Sequence, residues 1–260
     1  MSKQKGIIKI KGTLNGLCYY KLNGKYIVRK ATGPSKERIN NDPAFTQVKG
    51  NNQEFAAAVY LSKAIITGLG PVSKIFKDSY MQSRLTGVCR KIVQQGSGIS
   101  GQREANLLNN PEGLVGFQLD KEKPFNQIIT AIPQVSINTE RNTVTIAIQN
   151  NACDKLIKHA KKGKQFSYTA VVGAVSSFTW NISLEMYQPE CQEQNGLGAV
   201  INSSIAPNKK LQDFQIDINT NENINSNVAL TVWLGLSSVE TIHDKLAQSY
   251  YGMQCIAVLY

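Results

Sequence analysis

The sequence predicts a mixed α+β protein, in which a basic β-meander arm and a short helical section precede a long antiparallel β region. Three observations predict it. Two Asn-Gly pairs, Asn15-Gly16 and Asn23-Gly24, stand close together near the N-terminus. Apolar residues recur at helical spacing between residues 43 and 95. Beyond residue 114 the chain breaks into short Val-, Ile- and Thr-rich runs separated by Asn, Gly and Pro. The 260 residues suffice for one large or two modest domains, and the 42% hydrophobic content is that of a globular chain.

The arm is the most sharply defined element. Asn-Gly is the preferred pair for a two-residue type I′ turn, because both positions need positive φ. Two such turns define a meander with strands near 6–14, 17–22 and 25–30. In this register Tyr20 faces Ile27, Tyr19 faces Val28 and Leu22 faces Lys25. Cross-strand partners share a face, so both faces carry apolar groups. Three short strands have little core of their own. The ribbon is therefore expected to pack on the rest of the chain or on another subunit, through Ile8, Ile10, Leu17, Tyr19, Tyr20, Leu22, Tyr26, Ile27 and Val28.

Charge sets the same region apart. Residues 1–49 hold eleven Lys and Arg against two acidic residues, a net of +9 out of the +11 of the whole chain. Residues 50–260 carry a net of only +2. Lys9, Lys11, Lys21, Lys25, Arg29 and Lys30 form the candidate surface for an anionic partner, either nucleic acid or an acidic protein face. Edge strands also carry lysine simply to discourage aggregation.

After Gly33-Pro34, Asp42-Pro43 reads as an N-cap followed by proline at the first helical position. Phe45, Val48, Phe55, Val59 and Ile66 then mark a helix over 43–67. Gly68-Leu69-Gly70-Pro71 ends it, and helices over 71–80 and 81–95 follow. Expected strands are 114–119, 127–132, 134–138, 143–149, 165–175, 178–187, 197–205, 211–218, 228–236 and 252–259. Their spacing is that of an antiparallel Ig-like β-sandwich. Trp180 and Trp233 are expected in its core, 138–142 as a hairpin loop, 219–227 as a solvated loop and 239–248 as a short helix. The expected layout is a basic β-ribbon arm at 1–40, a helical section at 41–96, a hinge at 97–113 and a β-sandwich domain at 114–260.

The motifs of enzyme chemistry are sparse. Gly96-Ser97-Gly98-Ile99-Ser100-Gly101 matches G-x-G-x-x-G, but a dinucleotide site needs a preceding strand inside a βαβ unit. Here a helical stretch precedes it, so a hinge is the better reading. His159 and His243 have no second metal ligand at short spacing, and no cofactor or metal site is expected. Asp213 and Asp217 share a strand face roughly 13 Å apart, too far for a paired acid and base. The five cysteines, Cys18, Cys89, Cys153, Cys191 and Cys255, are scattered and read as reduced thiols. Lys158, Lys161, Lys162 and Lys164 read as a solvated loop.

Lys9 and Lys11 interrupt what would be the apolar run of a secretory signal, and no apolar segment is long enough to span a membrane. A cytoplasmic or virion- and particle-associated location is expected, and export by a route without a Sec-type signal stays compatible with the sequence.

The opening Gly6-Ile-Ile-Lys-Ile-Lys-Gly-Thr-Leu-Asn-Gly-Leu-Cys-Tyr-Tyr-Lys21 resembles the start of an uncharacterised family of signal-less proteins from Bacteroidota. Ile39-Asn-Asn-Asp-Pro-Ala-Phe45, with Glu54-Phe55 following, matches its helix start. Leu234-Gly-Leu and Cys255-Ile-Ala-Val resemble its closing strands. The agreement covers residues 6–60 best, and the chain lacks the family's more aromatic tail. The resemblance implies the architecture and a bacterial or phage origin; it carries over no functional residue.

Together these readings point to a non-enzymatic, self-associating structural protein: a subunit of a filament, a sheath or a phage-type particle, packed through its N-terminal ribbon. The alternative is a nucleic-acid-binding module using the same arm. An adhesive role at the cell surface is a third class.

Overall fold

A computed structural model describes residues 2–129, 131–149, 165–205, 213–242 and 245–260. It is a mixed α+β protein and divides into two compact units, Met1–Lys49 and Gly50–Tyr260.

The first unit is built on a four-stranded antiparallel sheet. Its strands are β1 (Ser2–Lys3), β2 (Gly12–Leu14), β3 (Leu17–Leu22) and β4 (Lys25–Lys30), in the order β1-β4-β3-β2. Asn15 and Asn23 take φ of 48° and 46° and their glycines 73° and 77°, as the Asn-Gly turns require. The register is the expected one, with Tyr20 opposite Ile27, Tyr19 opposite Val28 and Leu22 opposite Lys25. The expected first strand differs. Only Gly12–Leu14 pair with β3, and Ser2–Lys3 pair instead with β4. The Gln4 side chain explains the gap. Its amide donates to the carbonyls of Ile10 and Ile27 and accepts from Ile10 N–H at 3.0 Å, taking the place of ladder bonds. Downstream, Ser35 caps the short helix α1 (Lys36–Asn41), and Asp42 caps a 3-10 turn at Pro43–Phe45, as Asp-Pro foretold.

The second unit has three layers. Helices α2 (Thr46–Leu69), α3 (Val72–Phe76) and α4 (Met81–Val93) cover one face of a four-stranded antiparallel sheet. Its strands are β7 (Gln165–Ser176), β10 (Gly198–Ile205), β12 (Val228–Ile242) and β13 (Lys245–Leu259), in the order β10-β7-β12-β13. A three-stranded sheet packs on the other face. It comprises β5 (Gln134–Ile137), β6 (Thr143–Ile148) and β11 (Phe214–Asn219), ordered β11-β6-β5. A separate hairpin joins β8 (Phe178–Asn181) to β9 (Met186–Pro189).

Side-chain alternation makes the central sheet two-sided. Val171, Val175, Ala229 and Trp233 point into the helical core with Leu61, Ile65 and Leu85. Phe166, Tyr168, Ala170, Val172, Leu230, Val232 and Leu234 point the other way, onto Ile146 and Ile216. The second sheet keeps the alternation the central sheet has lost: β6 alternates half-buried and buried positions. The helical section therefore shares its core with the β region. Burial of the whole helical face against a sheet is a feature that a free-standing sandwich lacks.

Helix and sheet meet backbone to backbone at three glycines. A Cβ on Gly68 of α2 would stand 2.9 Å from the Gly173 Cα in β7, and one on Gly198 in β10 would collide with the Gly68 carbonyl. Only residues without a Cβ permit this approach.

Several elements differ from expectation. Residues 114–119 form no strand of their own. Instead they run beside β13, with Gly116 N–H donating to Cys255 O and Leu119 N–H to Met253 O at 2.8 and 2.9 Å. The stretch expected as strand 127–132 begins in a 3-10 turn at Phe125–Gln127. The run 178–187 is a hairpin, its turn closed by Leu184 N–H donating to Asn181 Oδ1 at 3.1 Å. In place of the helix expected at 239–248, residues 239–242 of β12 pair with 245–248 of β13, down to Ile242 opposite Lys245. The β-branched Val239, Thr241 and Ile242 suit a ladder better than a helix. Trp233 is fully buried, whereas Trp180 is only half-buried, its ring edge against Tyr187 at 5.2 Å.

Candidate functional site

The expected hinge at 97–113 is tied down. Glu54 of α2, 4% exposed, accepts from Gly101 N–H and from Arg103 Nη1, both at 2.8 Å. The Tyr187 hydroxyl donates to the carbonyls of Gly101 and Arg103. Burial, with the Glu54 charge beside it, pushes the Tyr187 phenol up to about 12. α4 precedes the G-x-G-x-x-G stretch where a strand would be needed, and Gly101 N–H is already engaged by Glu54. This loop is a structural joint between α2 and the β8–β9 hairpin, and its backbone does not form a pyrophosphate cradle.

Asp217 and two of the thiols are similarly committed, while Cys18 and Cys191 are free and half-buried. Asp217 accepts from Thr145 Oγ1 at 2.6 Å and from Gln215. Cys89 and Cys255 are buried, which raises both thiols, Cys89 to about 12. Such thiols do not ionise near neutrality. Among the described residues there is no disulfide, and no group of His, Cys, Asp and Glu is placed to hold a metal. His159, His243, Cys153 and the lysine cluster at 158–164 lie outside the described residues. No described helix is long and apolar enough to cross a membrane.

The N-terminal sheet remains. Its residues 2–32 hold eight Lys and Arg and no carboxylate. One face carries Leu14, Leu17, Tyr19, Lys21, Tyr26, Val28 and Lys30; the other carries Cys18, Tyr20, Leu22, Lys25, Ile27 and Arg29. The sheet brings cations and rings together in pairs. Lys9 and Lys21 Nζ lie 5.8 and 5.6 Å from the Tyr26 ring centre, and the Arg29 guanidinium lies 5.9 Å from that of Tyr20. Lys9 also donates to Gln4 O at 2.7 Å. Lys11, Lys21, Lys25, Arg29 and Lys30 stay exposed.

The expected packing residues separate by exposure. Ile8, Ile10, Leu17 and Leu22 are exposed, while Tyr19, Tyr20, Tyr26 and Val28 are half-buried. Ile27, 8% exposed, is already buried within the chain and is not available to a neighbour. Ile7, outside the expected set, is fully exposed beside Ile8, on the loop that the Gln4 clamp holds. It falls within the strand expected near 6–14, of which only Gly12–Leu14 join the ladder.

Comparison with protein-family models, curated proteins and solved structures found no match to this chain.

Proposed function

We propose that the protein is a self-associating structural subunit, of a filament, sheath or phage-type particle, whose N-terminal sheet packs on a neighbouring copy. One observation carries this reading. A unit of only 49 residues leaves Leu14, Leu17 and Leu22 exposed on a sheet held in a defined register, and Ile7, Ile8 and Ile10 exposed on the loop between its first two strands. Disordered electrostatic tails do not order isoleucines and tyrosines in this way. Covering such side chains is worth about 1.5–3 kcal/mol each when complete. Deleting residues 2–32 and measuring mass by light scattering tests the reading. A smaller particle is expected, and an unchanged mass refutes it.

The eight uncompensated cations support a second reading, a nucleic-acid-binding arm in which Lys11, Lys21, Lys25, Arg29 and Lys30 meet phosphates. Each phosphate contact releases counterions, so binding by this arm falls steeply with salt. A titration with DNA and RNA at two salt concentrations decides, and no binding at low salt excludes it.

A further inference from the structure

We infer that β10 is a second self-association surface, at which two copies pair edge to edge, antiparallel, about a two-fold axis. The inference shares with the preceding proposal the premise that the chain binds its own kind, but it uses a different surface.

β10 runs Gly-Ala-Val-Ile-Asn-Ser-Ser-Ile over residues 198–205 and ends the four-stranded sheet. It pairs with β7 along its whole length, and no described strand pairs with its other side. Among the described residues, that side presents a row of backbone N–H and C=O groups without a ladder. Val200 and Ile201 are 44% and 39% exposed there. Proteins guard long edges with lysine, proline, bulges or a covering segment. The opposite edge follows this rule, since residues 116–119 lie along β13 and bond to it. The remaining edges are short or charged: β1 has two residues, β2 three, β5 four, and β11 carries Asp217. β10 has eight residues with no charge, no proline and no bulge in its pairing with β7.

The absence of charge selects the occupant. In two-fold antiparallel pairing each strand faces a copy of itself, so any charge on the edge meets its own sign nearby, which is destabilising. β10 carries none and therefore meets no like-charge repulsion when it pairs with itself. A basic or acidic peptide gains nothing from it. Pairing two copies joins two four-stranded sheets into one and continues both layers: Ala199 and Ile201 share the face of Val172 and Ala170, and Val200 shares that of Val171.

The inference also gives the assembly a geometry. An isologous edge contact alone closes as a dimer. Combined with a separate contact through the N-terminal sheet, it propagates.

The test uses the chain lacking residues 2–32, since both hydrophobic cores lie wholly within residues 50–260. This truncated chain is expected to run as a dimer, and with Val200→Lys as a monomer. An equimolar mixture of Val200→Lys and Val200→Glu chains is expected to recover the dimer, which misfolded chains would not do. Hydrogen exchange needs no variant: the backbone of 199–205 gains protection as wild-type concentration rises. A monomeric truncated chain, a dimer indifferent to Val200→Lys, or exchange independent of concentration each overturns the β10 interface. Failure of the N-terminal contact instead appears as a full-length assembly with the same number of copies as the truncated chain. The two proposals therefore fail separately.

Discussion

At Asp78 one carboxylate gathers three donors: Arg84 Nη2 at 2.6 Å and the backbone N–H groups of Tyr80 and Lys121 at 2.7 and 3.0 Å. Burial pushes this carboxyl up, but the backbone N–H groups and the Arg84 guanidinium together outweigh it and hold the pKa below the ordinary value. A carboxyl depressed in the folded state stabilises fully above its unfolded pKa and loses that contribution as pH falls through the folded one. Stability is therefore expected to drop as pH falls below about 4. In thermal melts at neutral pH, Asp78→Asn should cost about 1–3 kcal/mol, and the variant should show a shallower acid loss. An identical acid profile in wild type and variant would remove this role. Nothing in the sequence near Asp78 marks it, because Lys121 lies 43 residues away.

At the scale of elements, glycine has opposite meanings in two helices. Gly87 of α4 is exposed, with nothing within 4 Å of where a Cβ would stand. There Gly87→Ala should stabilise by about 1 kcal/mol, the helix-propensity difference. Gly68 of α2 has the same propensity to gain, but its Cβ would meet the Gly173 backbone. Overpacking against backbone costs about 1–3 kcal/mol, so Gly68→Ala should lower the melting temperature. Equal shifts for both variants would show that the close approach of α2 to β7 carries no weight. In sequence, Gly68 reads only as a helix stop. The N-terminal turns are the contrary case: Asn-Gly specifies its own backbone geometry, so the β3–β4 register was legible without the fold.

At the scale of the whole molecule, the division of charge coincides with the division of structure: a unit of net +9 over residues 1–49 and a unit of net +2 over residues 50–260. The hydrophobic cores of the second unit draw on no residue of the first. Deleting residues 2–32 should therefore leave a cooperative melt intact while changing the mass of the assembly; a collapsed melt would mean that the arm is a folding element. The sequence by itself determined what local chemistry controls: the basic arm, its two hairpin turns, the Asp-Pro helix start and the mixed α+β class. The turns and the helix start depend on φ preference and capping within a few residues, and the arm and the class on charge and apolar spacing read along the chain. Only the tertiary structure decided the rest. It placed the helices on a sheet that also carries a second sheet, paired 239–242 with 245–248 as strands and secured the glycine loop to Glu54. It also left β10 as a long edge without charge. A strand buried on both faces and one left at an edge can share the same short apolar sequence pattern. Their difference lies in which strands come to lie beside them, and that is set by packing between residues far apart in the chain.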